Sequence, residues 1–155
     1  MGKLQPHEVV EYLDKHVPYR VNIMLAQYRI ALQHLPVSKD INDACYIASL
    51  VTARMFLNML GIGKDFHATR LLCFKPLDTD VCVDDMGGTL IDPATLPSAD
   101  QDLLLNFLKM ADQAAAHFTV PINHNWQMSH KVILLVYELL KVNLYDRVGR
   151  RIPPI

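Results

Sequence analysis

The chain has 155 residues, of which 51% are hydrophobic and 20% charged, and its 15 Lys and Arg nearly balance its 16 Asp and Glu. This composition excludes a disordered chain, which needs low hydrophobicity or a large net charge. A net charge of −1 also provides no general excess of positive charge for nucleic-acid phosphates. We therefore predict one folded domain over residues 1–155 and no nucleic-acid partner.

Three helical patterns fill the first part of the chain. Prolines divide the first two: a helix over about 6–16 is predicted to end before Pro18, and a second, over about 19–34, before Pro36. A third helix over about 40–60 follows Ser38 or Asp40 as its N-cap, and Gly61 suits a left-handed C-cap. This third helix is apolar almost all round, which is typical of a central, largely buried helix.

The segment 65–97 is the least helical part of the chain and holds a predicted β insertion. Residues 68–75 and 80–85 are predicted to form short strands, with a tight hairpin at Gly87-Gly88. The apolar run in the first of these is too short for its period to separate strand from helix, so that choice stays open over 66–75. We expect a small antiparallel hairpin or meander that also serves as a crossover.

Two more helices are predicted after the insertion. One begins near Ser98, and the other runs over about 125–145 with a centre that is apolar nearly all round. The tail 150–155 contains two prolines and is predicted to be extended. The predicted fold is mainly α: a bundle of four or five helices with a small antiparallel β hairpin or meander between the third and fourth helices.

The sequence also indicates the compartment. Cys45, Cys73 and Cys82 are too few, and too irregularly spaced, for a disulfide framework or a structural zinc site. No apolar run reaches the roughly 18 residues of a membrane span, and the first residues lack a signal-peptide pattern. We therefore predict a soluble cytoplasmic protein with no membrane partner, and nothing in the sequence indicates a cofactor.

Arg54 is the polar residue that best marks a candidate ligand site. It interrupts the most apolar helix, and Asn58 follows one turn later. Because a buried guanidinium must be paired, Arg54 is expected to bind a carboxylate or phosphate of a ligand or to form an internal ion pair with an Asp such as Asp84 or Asp85. A third alternative is that its side chain extends to the surface. The sequence favours the internal pair, and these four residues are the ligand-binding candidates.

The segment 81–90 (VCVDDMGGTL) resembles the first motif of haloacid dehalogenase-type phosphatases, an apolar strand followed by D-x-D-G-T. The resemblance implies that Asp85 is the nucleophile, but Gly87 stands where the second, proton-transferring Asp belongs. The chain also lacks the strand–helix alternation of a parallel sheet. Solvated acids at a Gly-Gly hairpin are therefore favoured over a phosphatase site.

Three histidines lie in or beside the predicted connection between the last two helices: His117 at the end of the fourth helix, His124 in the connection and His130 near the start of the fifth helix. Three imidazoles can bind Zn²⁺ and leave one position for water. Their spacing puts no two of them on one helix face, however, and no carboxylate lies between 113 and 130 to orient them. We favour no metal site and keep these residues as weak candidates.

No catalytic motif is legible, so the sequence leaves open whether the protein is an enzyme. The third and fifth helices carry more apolar surface than a monomer of this size easily buries. The leading hypothesis is a non-enzymatic interaction or scaffold protein that forms a homo-oligomer through Ala44, Ala48 and Thr52 or through the fifth helix. The alternatives are a small-molecule or metal-binding site, hydrolytic or not, at one end of the bundle, and a tail 150–155 that docks on another protein.

Overall fold

The computed structural model describes residues 4–116 and 126–155, and helices dominate it. The helices are α1 (Pro6–Glu11), α2 (Val17–Leu32), α3 (Lys39–Met59), α4 (Ser98–Ala116) and α5 (Trp126–Leu140), with π-helical turns at Tyr12–His16 and Lys141–Tyr145. Between α3 and α4 lie strands β1 (Ile62–Lys64) and β2 (Leu71–Cys73) and two 3₁₀ turns, Val83–Met86 and Pro93–Thr95. The mainly α fold with a small antiparallel sheet between α3 and α4 is thus confirmed.

The predicted helix end at Pro18 is wrong, because the chain is helical without interruption from α1 through α2. Proline has no N–H, so an ordinary α-helical ladder would leave a carbonyl without a donor at this point. The helix widens instead: the N–H of Val17 donates to the carbonyl of Tyr12, five residues back. In the same register, residue 18 would donate its N–H to the carbonyl of Leu13, but Pro18 has no N–H. The hydroxyl of Tyr145 donates to that carbonyl instead, at 3.3 Å.

Helix α3 is the centre of the bundle, as predicted. The hydroxyl of Ser38 accepts the N–H of Ile41 at its start, and Gly61, with φ of +91°, follows its end. The helix contacts α2, α4, α5 and β1. Its buried residues are Tyr46, Ser49, Leu50, Thr52, Ala53, Phe56 and Leu57. The near-continuous apolar surface of α3 is therefore largely covered by neighbouring elements of the same chain.

Helix α5 is buried in the same way, since it contacts α2, α3 and α4. Its buried residues are Ser129, Val132, Ile133, Val136, Tyr137 and Leu140. Across residues 4–116 and 126–155, no helix combines the length and the apolar composition that a membrane span requires.

The β insertion is built from other residues than those predicted. Strands β1 and β2 pair antiparallel, with Ile62 opposite Cys73, so the open choice over 66–75 resolves to strand at Leu71–Cys73. The carboxylate of Asp65 closes the hairpin by accepting the N–H groups of Thr69 at 2.6 Å and Arg70 at 3.2 Å. The strand predicted over 80–85 is wrong, because the 3₁₀ turn Val83–Met86 occupies part of that segment.

The hairpin predicted at Gly87-Gly88 is also wrong. Gly87 has a φ of +88° and caps the 3₁₀ turn. At Gly88 a Cβ would lie 2.5 Å from the carbonyl oxygen of Asn143 and 2.9 Å from that of Val83. The N–H of Thr89 then donates to the same Asn143 oxygen at 2.8 Å. The two glycines therefore let the loop pack against the π-helical turn after α5.

The C-terminal tail packs on the chain's own helices. Tyr137 of α5 donates its hydroxyl to the carbonyl of Pro153 at 2.8 Å, and Arg29 of α2 donates to the carbonyl of Pro154 at 2.6 Å. Ile152 packs against the hydrophobic core. The tail thus ties the end of α2 to α5.

Candidate functional site

A cleft of about 490 Å³ lies between the continuous first helix (residues 6–32), the second half of α3 and the segment 74–82. We call it the α2–α3 cleft. Its lining includes Tyr12, Val17 and Arg20 from the first helix, Arg54, Met55, Asn58 and Met59 from α3, and Phe74, Thr79, Asp80, Val81 and Cys82 from the segment 74–82. Helices α2 and α3 form an antiparallel hairpin, with Ser49 donating to the Ile23 carbonyl midway at 3.3 Å. The beginning of α2 therefore faces the end of α3.

Five polar side chains of this lining have no hydrogen-bond partner within the part of the chain that the structure describes. They are Tyr12, Arg20, Arg54, Asn58 and Thr79. Arg54 has an ion-pair partner, and Tyr12 has a ring contact with His16 at 5.0 Å between centroids. Their donors and acceptors are otherwise free to meet a molecule in the cleft.

Arg54 forms an internal ion pair, but not with either acid that the sequence suggested. Its Nη2 lies 2.9 Å from Oδ1 of Asp112 on α4, while Oδ2 of Asp112 lies 2.8 Å from Nζ of Lys64 on β1. The Arg54 side chain is 41% exposed and lines the cleft, so the guanidinium is only half-buried. The internal ion pair favoured from the sequence is therefore present, but its acid is Asp112 and not Asp84 or Asp85, and Arg54 both pairs internally and faces the cleft.

The remaining lining is mostly apolar. Val17 and Phe56 are buried at the cleft, and Met55 and Met59 are partly buried against the core. Among the described lining residues the single acid is Asp80, whose carboxylate accepts the N–H of Leu77 at 2.8 Å. The lining therefore carries two guanidinium groups and one carboxylate among apolar side chains, and that carboxylate already accepts a hydrogen bond within a turn.

Asp84 and Asp85 do not line this cleft, although their neighbour Cys82 does. A donor atom of each of these three residues lies within 4.8 Å of the others. The carboxylate of Asp85 accepts the N–H of Cys82 at 3.0 Å, which caps the 3₁₀ turn. This local hydrogen bond explains the position of Asp85 without any metal ion.

His130 is partly buried and hydrogen-bonded to another side chain of the protein. Its Nε2 lies 2.6 Å from the amide oxygen of the buried Gln27, and its ring meets that of Tyr28 edge-on at 5.2 Å. Because the amide oxygen can only accept, Nε2 carries the hydrogen. Burial lowers the pKa of His130. The other two histidines of the zinc hypothesis, His117 and His124, lie outside the described residues.

Sequence reasoning found Arg54 and Asn58 but missed Tyr12 and Arg20. These two lie on one continuous helix, on either side of Pro18. The predicted break at Pro18 assigned them to different helices, so no common face was visible. The signal that could have found them is the eight-residue spacing on an unbroken helix.

Comparison with protein-family models, with curated proteins and with solved structures finds no match to this chain.

Proposed function

We propose that this protein binds a small anionic molecule with an apolar portion in the α2–α3 cleft. The observation that supports the proposal is the pair of guanidinium groups, Arg20 and Arg54, which donate no hydrogen bond within residues 4–116 and 126–155. Arg54 has only its ion-pair contact with Asp112. Arginine donors form a rigid fork that matches carboxylate and phosphate groups. The shared chemistry of the ligand is therefore a carboxylate or phosphate.

The rest of the lining supports an amphipathic ligand. The Asn58 amide and the Tyr12 hydroxyl add neutral polar groups, and Met55 and Met59 offer adaptable apolar surface. The volume of about 490 Å³ lies in the range of small-molecule sites, roughly 300–1,000 Å³. Tyr12 also belongs to a π-helical turn, a feature frequent at functional sites.

Isothermal titration calorimetry with phenyl phosphate tests this proposal. We expect the wild-type protein to bind it, and Arg20→Gln to weaken binding by about tenfold or more, since one charge-assisted hydrogen bond is worth about 1.5–3 kcal/mol. Arg70→Gln is the matched control, because Arg70 is exposed and does not line the cleft. Thermal melting of each variant establishes that it is folded.

Phenol and inorganic phosphate separate the two halves of the probe. Each should bind more weakly than phenyl phosphate, because each meets only the apolar or only the cationic part of the cleft. Failure of the wild-type protein to bind phenyl phosphate, or equal binding by Arg20→Gln and Arg70→Gln, would overturn the proposal.

We further propose that two copies associate along the outer face of α3. This proposal is supported by three exposed apolar residues at helical spacing, Ala44, Ile47 and Val51. Ala48 is half-buried and Thr52 buried, so the exposed apolar stripe is displaced from the face first predicted. No large apolar residue of Trp126–Leu140 is among the exposed ones, which leaves α3 as the better candidate than α5.

Sedimentation velocity from micromolar to sub-millimolar concentration tests self-association. We expect a concentration-dependent dimer that Ile47→Glu dissociates, because a charge would be buried in the apolar contact. Val142→Glu places the same charge at an exposed apolar residue outside this stripe and should leave the dimer intact. A wild-type monomer at every concentration, or an Ile47→Glu dimer as stable as that of the wild type, would contradict the proposal.

A further inference from the structure

Asp112 lies behind the cleft and holds the arginine that the ligand would use. Its Oδ1 is 2.9 Å from Nη2 of Arg54, yet this buried oxygen accepts no aligned hydrogen bond. Its Oδ2 is 2.8 Å from Nζ of Lys64, whose side chain is only 19% exposed. One carboxylate is therefore shared between a cation that faces the cleft and a cation that does not line it.

The geometry makes the Arg54 contact the easier one to exchange. It is a Coulomb contact without an aligned N–H, and the Arg54 side chain is the more exposed of the two cations. Half-exposed ion pairs of this kind contribute little net stability. An anion in the cleft can thus attract the guanidinium away from Asp112 at small cost.

Lys64 makes that exchange tolerable for the fold. If Arg54 alone paired with Asp112, release of the guanidinium would leave a half-buried carboxylate without a counter-charge, which is strongly unfavourable. Because Lys64 remains at 2.8 Å, Asp112 keeps a partner when Arg54 turns to a ligand. The three residues join α3, α4 and β1, so the ligand contact is linked to the packing of these elements.

We propose that Asp112 sets the affinity of the α2–α3 cleft for anions by competing with the ligand for Arg54, and that Lys64 weakens this competition by sharing the Asp112 carboxylate. This inference rests on the anion-binding function proposed above. It assigns Asp112 and Lys64 as positioning residues, since neither lines the cleft.

Two substitutions with opposite expected effects test the inference by calorimetry with phenyl phosphate. Asp112→Asn should bind the probe about threefold more tightly, because Arg54 loses its competing anion. Lys64→Met should bind it about threefold more weakly, because Asp112 is left to Arg54 alone. Asp112→Glu keeps the charge and should retain wild-type affinity, and Asp102→Asn, an exposed change elsewhere on α4, should have no effect.

The Arg54→Gln background separates competition from long-range electrostatics. There, both Asp112→Asn and Lys64→Met should leave the remaining phenyl phosphate affinity unchanged, whereas a general field effect would persist. Suppose that the wild type binds phenyl phosphate through Arg20 but Asp112→Asn binds it no more tightly. The inference is then overturned while the anion site stands. The same conclusion follows if Asp112→Asn increases the affinity equally in the Arg54→Gln background. If Asp112→Asn does not fold, a Lys64→Met affinity equal to that of the wild type overturns it alone. No binding by the wild type would overturn both.

Discussion

The hydroxyl of Tyr145 supplies the hydrogen bond that Pro18 cannot. Leu13 is buried, and its carbonyl accepts the Tyr145 hydroxyl at 3.3 Å. Burial raises the pKa of Tyr145, and the Asp14 carboxylate adds to the rise. The phenol therefore stays protonated as a donor. A side chain far along the sequence thus completes the backbone of the first helix.

We predict that Tyr145→Phe lowers the free energy of unfolding by about 1–3 kcal/mol, since it leaves a buried acceptor unsatisfied. Urea denaturation measures the change, and Tyr19→Phe, at a 66% exposed position, is the matched control. In a Pro18→Ala background the new N–H can serve the Leu13 carbonyl, so the Tyr145→Phe penalty should shrink. An unchanged penalty in that background would show that the hydroxyl acts elsewhere.

The candidate site could be predicted only in part at this scale. Arg54 and Asn58 stand out because polar residues in an otherwise apolar helix are a local signal. The partner of Arg54 is not local: Asp112 is brought to it by the packing of α4 on α3. The sequence suggested Asp84 or Asp85 because they belong to the nearby insertion. Nothing in the sequence distinguishes one Asp from another as the partner of Arg54.

At the scale of elements, boundaries with a local cause were predictable and those with a tertiary cause were not. Ser38 and Gly61 bound α3 through side-chain capping and a positive φ, both set within a few residues. Pro18 carries an equally strong local signal for a helix end. It was misleading because a widened turn and the distant Tyr145 hydroxyl accommodate the proline.

The β insertion shows the same division. The strand at Leu71–Cys73 lies within a predicted one, but its partner Ile62–Lys64 has too few residues to show any alternation. Gly87-Gly88 matches a hairpin turn as a dipeptide. Its actual role depends on the Asn143 carbonyl, which a Cβ at Gly88 would approach to 2.5 Å. Only the packed position of α5 reveals that contact.

At the scale of the whole molecule, the high apolar content is used mainly inside the chain. Helices α3 and α5 each contact three other long helices, which explains why both are apolar on more than one face. The excess of apolar surface that suggested a subunit interface is thereby reduced to the exposed stripe on α3, which consists of Ala44, Ile47 and Val51. The polar exceptions in this interior are few, and the pair of Gln27 and His130 joins α2 to α5.

This partly buried pair predicts how the stability of the whole fold depends on pH. Burial lowers the pKa of His130 below its ordinary 6.5, so the unfolded chain takes up a proton at a higher pH than the folded chain does. As pH falls through 6.5 towards the folded pKa, the free energy of unfolding should decrease. Because the imidazole is only half-buried and its charge is screened by solvent, the slope should be a fraction of the roughly 1.4 kcal/mol per pH unit that one full proton gives. Well above 6.5 both states are neutral at this group, and its contribution is constant.

Urea denaturation between about pH 7.5 and about pH 5.5 measures this dependence in the range where histidines titrate. His130→Gln keeps a neutral polar side chain beside Gln27 and should flatten the fall in stability on acidification. His7→Gln, at an exposed position of α1, should retain the wild-type slope. A fall equally steep in His130→Gln and in the wild type would mean that other groups carry the pH dependence and that the contact between α2 and α5 does not sense protons.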